Sequence, residues 1–445
     1  MIENISRPND LGNYVFDALP MSFGRHVRPS AEVLNSFFEV LFYASLDTEE
    51  GDLIKVTATL FNPIAVQPNK LKSDRWRFVK FDNKIAFNIA NLVKLSKAAD
   101  PWSSTLAVYF DLQGNLWIHG LIDQALHVQS FLNYESEDKP TQPGLFQASI
   151  IDIGSISVLR DYKLIASLKK DILVTKYIDV FKSGIIYSLL IEDAKLIRDQ
   201  ALQNLTNRFL DTNLEDWEEF FDNIWQNTIS RLLIQIKNYH HGGALLISDR
   251  ETNLEIKYAI SYKRIGSSIK NLVQQNLKEE NLLSQINNSD LSLDMELFIN
   301  YQNCLRAKDN AKNDLKASIR FVSSHSCVDG LILLDGQLNT KGFGVIVREL
   351  SPPDSIYVSS STTGKPYIDK NPKHFGTRHQ SMFAYCFNNP GSIGFIVSQD
   401  GDIRATTRVG DKLIVWENIK TQQFIRATPL KDAYIKAKAK SMENI

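Results

Sequence analysis

Apolar positions in the first third of the chain follow two periodicities. After Ser30 they recur at helical spacing, which predicts a helix with Ser30 as its N-cap. The residues that carry this spacing are Val33, Phe37, Val40 and Leu41. Residues 53–61 are rich in β-formers, and residues 106–110 and 116–122 flank a short polar turn, which predicts a strand followed by a β-hairpin. Further strands are predicted between residues 145 and 175.

A polar stretch with two prolines, residues 134–144, is the clearest linker signal in the chain. We therefore predict a regulatory module over residues 1–175 that contains this linker. A second domain is expected over residues 176–420, followed by a tail at 421–445.

The second domain begins with helical periodicity between Tyr177 and Asn238. Aromatic and aliphatic residues there form one stripe, which favours a core-facing helix over a ligand box. They are Trp217, Phe221, Ile224, Trp225, Leu232 and Ile236. The neighbouring pair His240 and His241 precedes two glycines and has no third ligand nearby, which argues against a metal site.

Residues 243–247 and 254–260 read as strands, and another amphipathic helix starts near Ile269. The polar segment 278–292 is predicted to be an exposed connection. Together these elements predict a mixed α/β (α+β) fold, with a mixed central sheet flanked by helices in the second domain and a smaller mixed module before it.

The amino-acid composition argues against several classes of protein. Hydrophobic residues make up 43% of the 445 residues, which excludes a largely disordered chain. The net charge of −1 provides no general attraction to nucleic acid or anionic membranes, and the Lys-rich end favours a solvated helix over nucleic-acid contact. No apolar run approaches membrane-spanning length, and three cysteines without paired spacing argue against disulfides and zinc. With no secretory signal at the N-terminus, we expect a cytoplasmic protein.

Three short segments carry candidate chemistry. Asp329-Gly330-Leu331 precedes an apolar strand, so a carboxylate lies at the strand's start beside a glycine that allows close approach. Gly376-Thr377-Arg378-His379-Gln380 opens a helical pattern, where free N–H groups and basic side chains suit a phosphate. Ile393–Val397 reads as a buried strand that delivers Ser398 and Asp400 to its end. Asp329 and Asp400 could together hold a divalent cation, although such carboxylates also cap helices.

In this order, the three segments resemble the diadenylate cyclase domain family, over roughly residues 180–418. The family signatures are Asp-Gly-Ala and Arg-His-Arg, which here read Asp329-Gly330-Leu331 and Arg378-His379-Gln380. Gly342-Phe343-Gly344 and His241–Leu246 resemble the soluble cyclases that carry an N-terminal sensor module called DACNV.

The resemblance implies that two such domains face each other and condense two ATP molecules into cyclic di-AMP and two pyrophosphates, with a divalent metal (Mg²⁺ or Mn²⁺). It implies a homodimer or higher homo-oligomer, with no membrane partner. Carried over by position, it gives Asp329, Thr377, Arg378 and His379 as catalytic residues and Asp329 and Asp400 as metal ligands. The implied nucleotide-binding residues are Gly330, Leu331, Gly376, Thr377, Arg378, His379, Gln380 and Ser398.

Two departures from the family pattern bear on activity. Leu331 is bulkier than the family's Ala, and Gln380 lacks the charge of the family's second Arg. An active cyclase, a silent sensor that binds ATP or a cyclic dinucleotide, and a different nucleotidyl transfer are therefore all consistent with the sequence.

Overall fold

The computed structural model describes residues 5–20, 27–62, 76–100, 103–125, 144–160, 163–203, 213–239, 242–288, 295–398, 402–421 and 428–429. The chain divides into two compact units, Met1–Lys176 and Tyr177–Ile445. Both are built from helices on mixed sheets, which confirms the predicted α/β (α+β) class. Among the described residues, no helix has the length and apolar character that crossing a bilayer requires.

The first unit has three helices in its described part, and the predicted helix after Ser30 is confirmed. Ser30 caps it by accepting a hydrogen bond from the Val33 N–H at 3.3 Å. The helices are α1 Pro8–Ala18, α2 Ala31–Ala44 and α3 Ile89–Ser96.

An eight-stranded sheet forms the rest of the first unit, in the order β10-β9-β8-β7-β3-β5-β6-β4. Beside it, the short strands β1 Thr48–Glu49 and β2 Asp52–Leu53 pair with each other. The sheet strands are β3 Thr57–Leu60, β4 Arg77–Ala86, β5 Ser104–Phe110, β6 Leu116–Asp123, β7 Gln147–Asp152, β8 Ser155–Arg160, β9 Lys163–Lys169 and β10 Ile172–Val174. β5 and β6 pair antiparallel, as the predicted hairpin requires. The predicted linker at 134–143 lies outside the described residues.

The described part of the second unit has five α-helices, and the stripe predicted from Trp217 to Ile236 is buried on one of them. They are α4 Ile185–Leu202, α5 Leu214–Asn238, α6 Arg264–Asn288, α7 Met295–Ser324 and α8 Thr377–Asn388. The prediction that residues 278–292 form an exposed connection is wrong for 278–288, because α6 continues to Asn288 and buries Glu279 and Glu280; residues 289–292 lie outside the described ranges. His240 and His241 lie outside the described residues.

The sheet of the second unit has nine strands in the order β12-β14-β13-β11-β17-β18-β19-β15-β16. They are β11 Gly243–Ile247, β12 Leu254–Tyr262, β13 Leu331–Leu334, β14 Thr340–Val347, β15 Ile356–Ser359, β16 Tyr367–Lys370, β17 Ile393–Val397, β18 Ile403–Val409 and β19 Lys412–Trp416. β11 is parallel to β13 and antiparallel to β17.

Both faces of this sheet are buried near its centre. Leu245 faces the core shared with α4–α7, whereas its neighbour Leu246 faces the core shared with α8. Burial on two faces explains why β11, β13 and β17 are uninterrupted apolar runs.

Candidate functional site

One edge of the nine-stranded sheet collects the segments singled out from the sequence. Val397 at the end of β17 pairs with Gly243 at the start of β11, and Leu245 pairs in parallel with Ile332 near the start of β13. Because β11 lies between the other two strands, the start of β13 and the end of β17 are about 10 Å apart. This edge is therefore the carboxyl end of β17 but the amino end of β13.

The Asp329-Gly330 pair forms a tight backbone crossing at this edge. The Asp329 side chain is exposed. Gly330 has a φ of +119°, and a Cβ placed there would lie 2.5 Å from the carbonyl carbon of Gly344. Only glycine fits this crossing, so the segment holds Asp329 in a fixed backbone position at the sheet edge.

Leu331, the first departure from the family pattern, is only 6% exposed. Its side chain packs in the core beneath α8, with Met382 and Phe383. The bulk of Leu331 therefore fills the interior, and only its backbone remains at the edge.

Helix α8 begins at the second predicted segment. Gly376 is its N-cap and makes no side-chain cap bond, and a Cβ at this position would meet open space. Thr377 and Arg378 are exposed in the first turn. The first-turn N–H groups of a helix have no partners within the helix, so this end attracts an anion.

His379 is half-buried one position further along α8. Its Nε2 accepts a hydrogen bond of 3.2 Å from Nη1 of Arg404. Burial, and then the charges of Arg404 and Arg378, lower the pKa of His379 to about 4. The imidazole is therefore neutral at pH 7, and its proton is on Nδ1.

Arg404 on β18 was not among the predicted site residues, yet it joins them. Its Nη1 donates to Ser398 Oγ at 3.1 Å, and its Nε lies 3.4 Å from Glu417 Oε1. The Ser398 hydroxyl in turn donates to the Asp402 carbonyl at 3.2 Å. Arg404 thereby connects the helix start to the end of β17.

A sequence signal for Arg404 did exist. It is an arginine near the start of a predicted strand, flanked by apolar and hydroxyl-bearing residues in Ile403-Arg-Ala-Thr-Thr407, directly after the third segment. A side chain whose exposure is only 18% in such a strand needs polar partners, and these partners mark the site.

Gln380, the second departure, is committed to the backbone. Its Nε2 donates to the Phe375 carbonyl at 2.6 Å, within the turn that leads into α8. The amide therefore stabilises the loop before the helix.

Of the two metal ligands predicted for this edge, only Asp329 lies within the described residues. Asp400 lies outside the described residues. No group of three or more His, Cys, Asp or Glu side chains that could hold a metal ion occurs within the described ranges. Asp329 would supply one carboxylate ligand to a divalent cation whose other ligands are phosphate oxygens.

The opposite edge of the sheet carries a separate set of carboxylates, Asp193, Asp249 and Asp335. Burial, followed by repulsion from Asp249, raises the pKa of Asp193 to about 7. Asp249 accepts the Gly336 N–H at 3.0 Å, and Asp335 accepts the Asn339 N–H at 2.8 Å. These bonds hold the turn between β13 and β14, so Asp249 and Asp335 have a structural role.

The comparison with family models matches residues 24–123 to the probable sensor domain DACNV. This domain is typical of diadenylate cyclases, whereas the cyclase catalytic domain itself is not detected. Neither the curated proteins nor the solved structures contain a match to the chain. Residues 24–123 are thus similar to a sensor domain of the kind that accompanies diadenylate cyclases.

Proposed function

We propose that the second unit is a nucleotidyltransferase that condenses two ATP molecules into cyclic di-AMP and two pyrophosphates, and that the first unit regulates it. The observation that carries the proposal is the convergence at one sheet edge of Asp329, the start of α8, and Ser398 with Arg404. The sensor-domain match over residues 24–123 supports the same context.

The charge at this edge suits a polyphosphate. Arg378, Arg404 and Lys370 are cationic, whereas the carboxylate of Glu417 contacts both Arg404 and Lys370. With His379 neutral and Asp329 counted as a second carboxylate, the charges of these described side chains still sum to a positive value at the amino end of α8, where the helix dipole adds to the attraction.

In the proposed reaction, each ATP is held by one copy of the chain. Each 3′-oxygen forms a bond to the α-phosphorus of the other ATP, the bond from that phosphorus to pyrophosphate breaks, and the 3′-hydroxyl proton leaves to a carboxylate or to water. Asp329 would accept the hydroxyl's hydrogen bond and orient it, while α8, Arg378 and Arg404 would hold the phosphates. A divalent cation bound with ATP would neutralise phosphate charge next to Asp329.

A second candidate function is a silent nucleotide-binding sensor. The observation that favours it is the bond from Gln380 to the Phe375 carbonyl, which directs this side chain to the backbone instead of to a ligand. Such a protein would bind ATP and release it unchanged.

The deciding experiment incubates the full chain with ATP and Mg²⁺ or Mn²⁺ and resolves the products by chromatography. We expect cyclic di-AMP from the wild type. Asp329→Asn should lower its formation about 100-fold or more, because it removes the charge that orients the attacking hydroxyl. The melting temperature should change little, since Asp329 is exposed. Asp354→Asn, at an exposed carboxylate in the loop before β15, is the matched control.

If the wild type binds ATP but yields no cyclic dinucleotide, the silent sensor is the better description. Near-normal turnover by Asp329→Asn would contradict the role given to this carboxylate.

A further inference from the structure

Arg404 is the least exposed cationic side chain of the site. Its guanidinium contacts His379 on α8, Ser398 just after β17 and Glu417 just after β19. It also lies 5.9 Å from the centre of the Phe375 ring, in the loop before α8. A guanidinium held from several sides has already lost much of its rotamer freedom, so it can bind an anion without a large further entropy cost.

The neutral partners of Arg404 leave its charge largely uncompensated. His379 and Ser398 accept hydrogen bonds from Nη1 but carry no charge. Glu417, the anionic partner of Arg404 within the described ranges, is shared with Lys370, whose Nζ lies 3.1 Å from the other carboxylate oxygen. The local balance is therefore positive, and an incoming anion would complete it.

Arg404 lies close to Gln380, the position at which this chain lacks the positive charge found in the resembling family. Gln380 stands where the resembling family has an arginine, and its amide is engaged with Phe375. Arg404 reaches the adjacent residue, His379, from a neighbouring strand instead of from the helix. Compared with the resembling family, α8 has one guanidinium fewer, at position 380. The guanidinium of Arg404 approaches from β18 instead and lies within hydrogen-bonding distance of the His379 imidazole.

We propose that Arg404 is the phosphate-binding residue that takes over, from strand β18, the charge missing at Gln380. This inference rests on the proposed function, because it assigns a role within the same nucleotide site. It predicts that the triphosphate, and not the nucleoside, depends on Arg404 for binding.

The test measures ATP, tripolyphosphate and adenosine binding to the full chain by calorimetry. Arg404→Met should weaken ATP and tripolyphosphate binding about 10- to 100-fold, as expected for loss of a charge-assisted contact. Adenosine binding should stay unchanged, which a general disturbance of the site would not allow. Arg404→Lys should lie between, because it keeps the charge but loses the two-pronged geometry.

Arg408→Met is the matched control. Arg408 lies on the same strand, but it bonds the Gly410 and Phe387 carbonyls and none of the site residues. The double variant Arg404→Met/Gln380→Arg should recover part of the lost ATP affinity, because it returns a guanidinium to the start of α8.

The outcomes separate this inference from the proposed reaction. If the wild type binds ATP in an Arg404-dependent way but makes no cyclic di-AMP, the inference holds and the proposed catalysis fails. If Arg404→Met, with a melting temperature near that of the wild type, binds ATP as tightly as the wild type does, the inference is wrong and the reaction can still stand. A wild type that binds neither ATP nor tripolyphosphate overturns both.

Discussion

His119 lies on β6 of the first unit, within the span that matches the sensor domain. It is 4% exposed, and neither ring nitrogen makes a hydrogen bond to another side chain among the described residues. Its ring packs against Phe61, Phe78 and Tyr109, with centroid distances of 5.9, 4.9 and 4.8 Å. Burial lowers its pKa to about 4, more than the Ala107 backbone raises it, and the charge of Lys80 adds to the decrease.

This burial makes the stability of the first unit depend on pH. Between pH 6.5 and 4 the unfolded chain binds a proton at His119 that the folded chain does not, so stability falls as the pH is lowered through this range. His119→Phe removes the difference. We expect an unchanged or higher melting temperature at pH 7, since two buried polar nitrogens are removed. Between pH 7 and pH 4.5, the fall in melting temperature should be smaller than that of the wild type by about 3 °C or more.

Thermal unfolding of both proteins from pH 7 to pH 4.5 measures this effect. His374→Gln, at an exposed histidine, is the control and should leave the slope as it is in the wild type. A parallel decline in His119→Phe and the wild type would contradict the assignment to His119.

The candidate site residues predicted from the sequence are those that have a signal in the local chain pattern. Gly376 before a helix and Gly330 before a strand leave signatures within a few positions of the residue itself. Arg404 does not, because its partners His379 and Glu417 are distant in the sequence and meet it only through the pairing of β17, β18 and β19. Side-chain partners across strands cannot be predicted from one strand's own pattern.

Helices α6 and α7 form an antiparallel pair that composition alone conceals. The segment 278–288 looks solvent-exposed because it is rich in Lys, Glu and Asn. In the structure Glu279 on α6 forms an ion pair with Lys308 on α7, with side-chain exposures of 4% and 6%. A charged residue whose partner lies on the next helix is buried without any apolar signal, which explains why this prediction failed.

Breaking this pair should destabilise the second unit. Lys308→Met removes the cationic partner of the buried Glu279 carboxylate, and we expect a loss of about 3 to 5 kcal/mol in the free energy of unfolding. Denaturant titration of the full chain measures it. The double variant Lys308→Met/Glu279→Leu should recover most of the loss, because two apolar side chains can fill the same space.

Arg348→Met is the comparison for an exposed pair. Its partner Glu255 is on the surface, so the loss should stay within about 1 kcal/mol. Equal losses for Lys308→Met and Arg348→Met would mean that burial does not determine the strength of the α6–α7 pair.

At the scale of the whole molecule, the proposed reaction needs two chains, because each site holds only one of the two nucleotides. Cyclic di-AMP formed per molecule should therefore rise with enzyme concentration while the monomer dominates, and level off once pairs are complete. An excess of Asp329→Asn should lower the activity of the wild type by forming mixed pairs, whereas an excess of an unrelated protein should not.

The measurement is the initial rate of product formation over a dilution series. A rate per molecule that is constant from the most dilute sample upward would show that one chain suffices. The mixed α/β class follows from periodicity that can be read in the sequence, but an encounter between two chains has no such local pattern.

The crossing of Gly330 with Gly344 also bears on the order in which the protein folds. Leu245 and Ile332, whose pairing sets up this edge, are separated in the chain by both α6 and α7. Closing so long a loop is slow unless local structure shortens it, and the two helices can associate with each other before the strands meet. We therefore expect the α6–α7 pair to form first and to bring β13 next to β11. The proposed nucleotide site is accordingly expected to be among the last parts of the second unit to form during synthesis, so an incomplete chain would be unable to bind ATP.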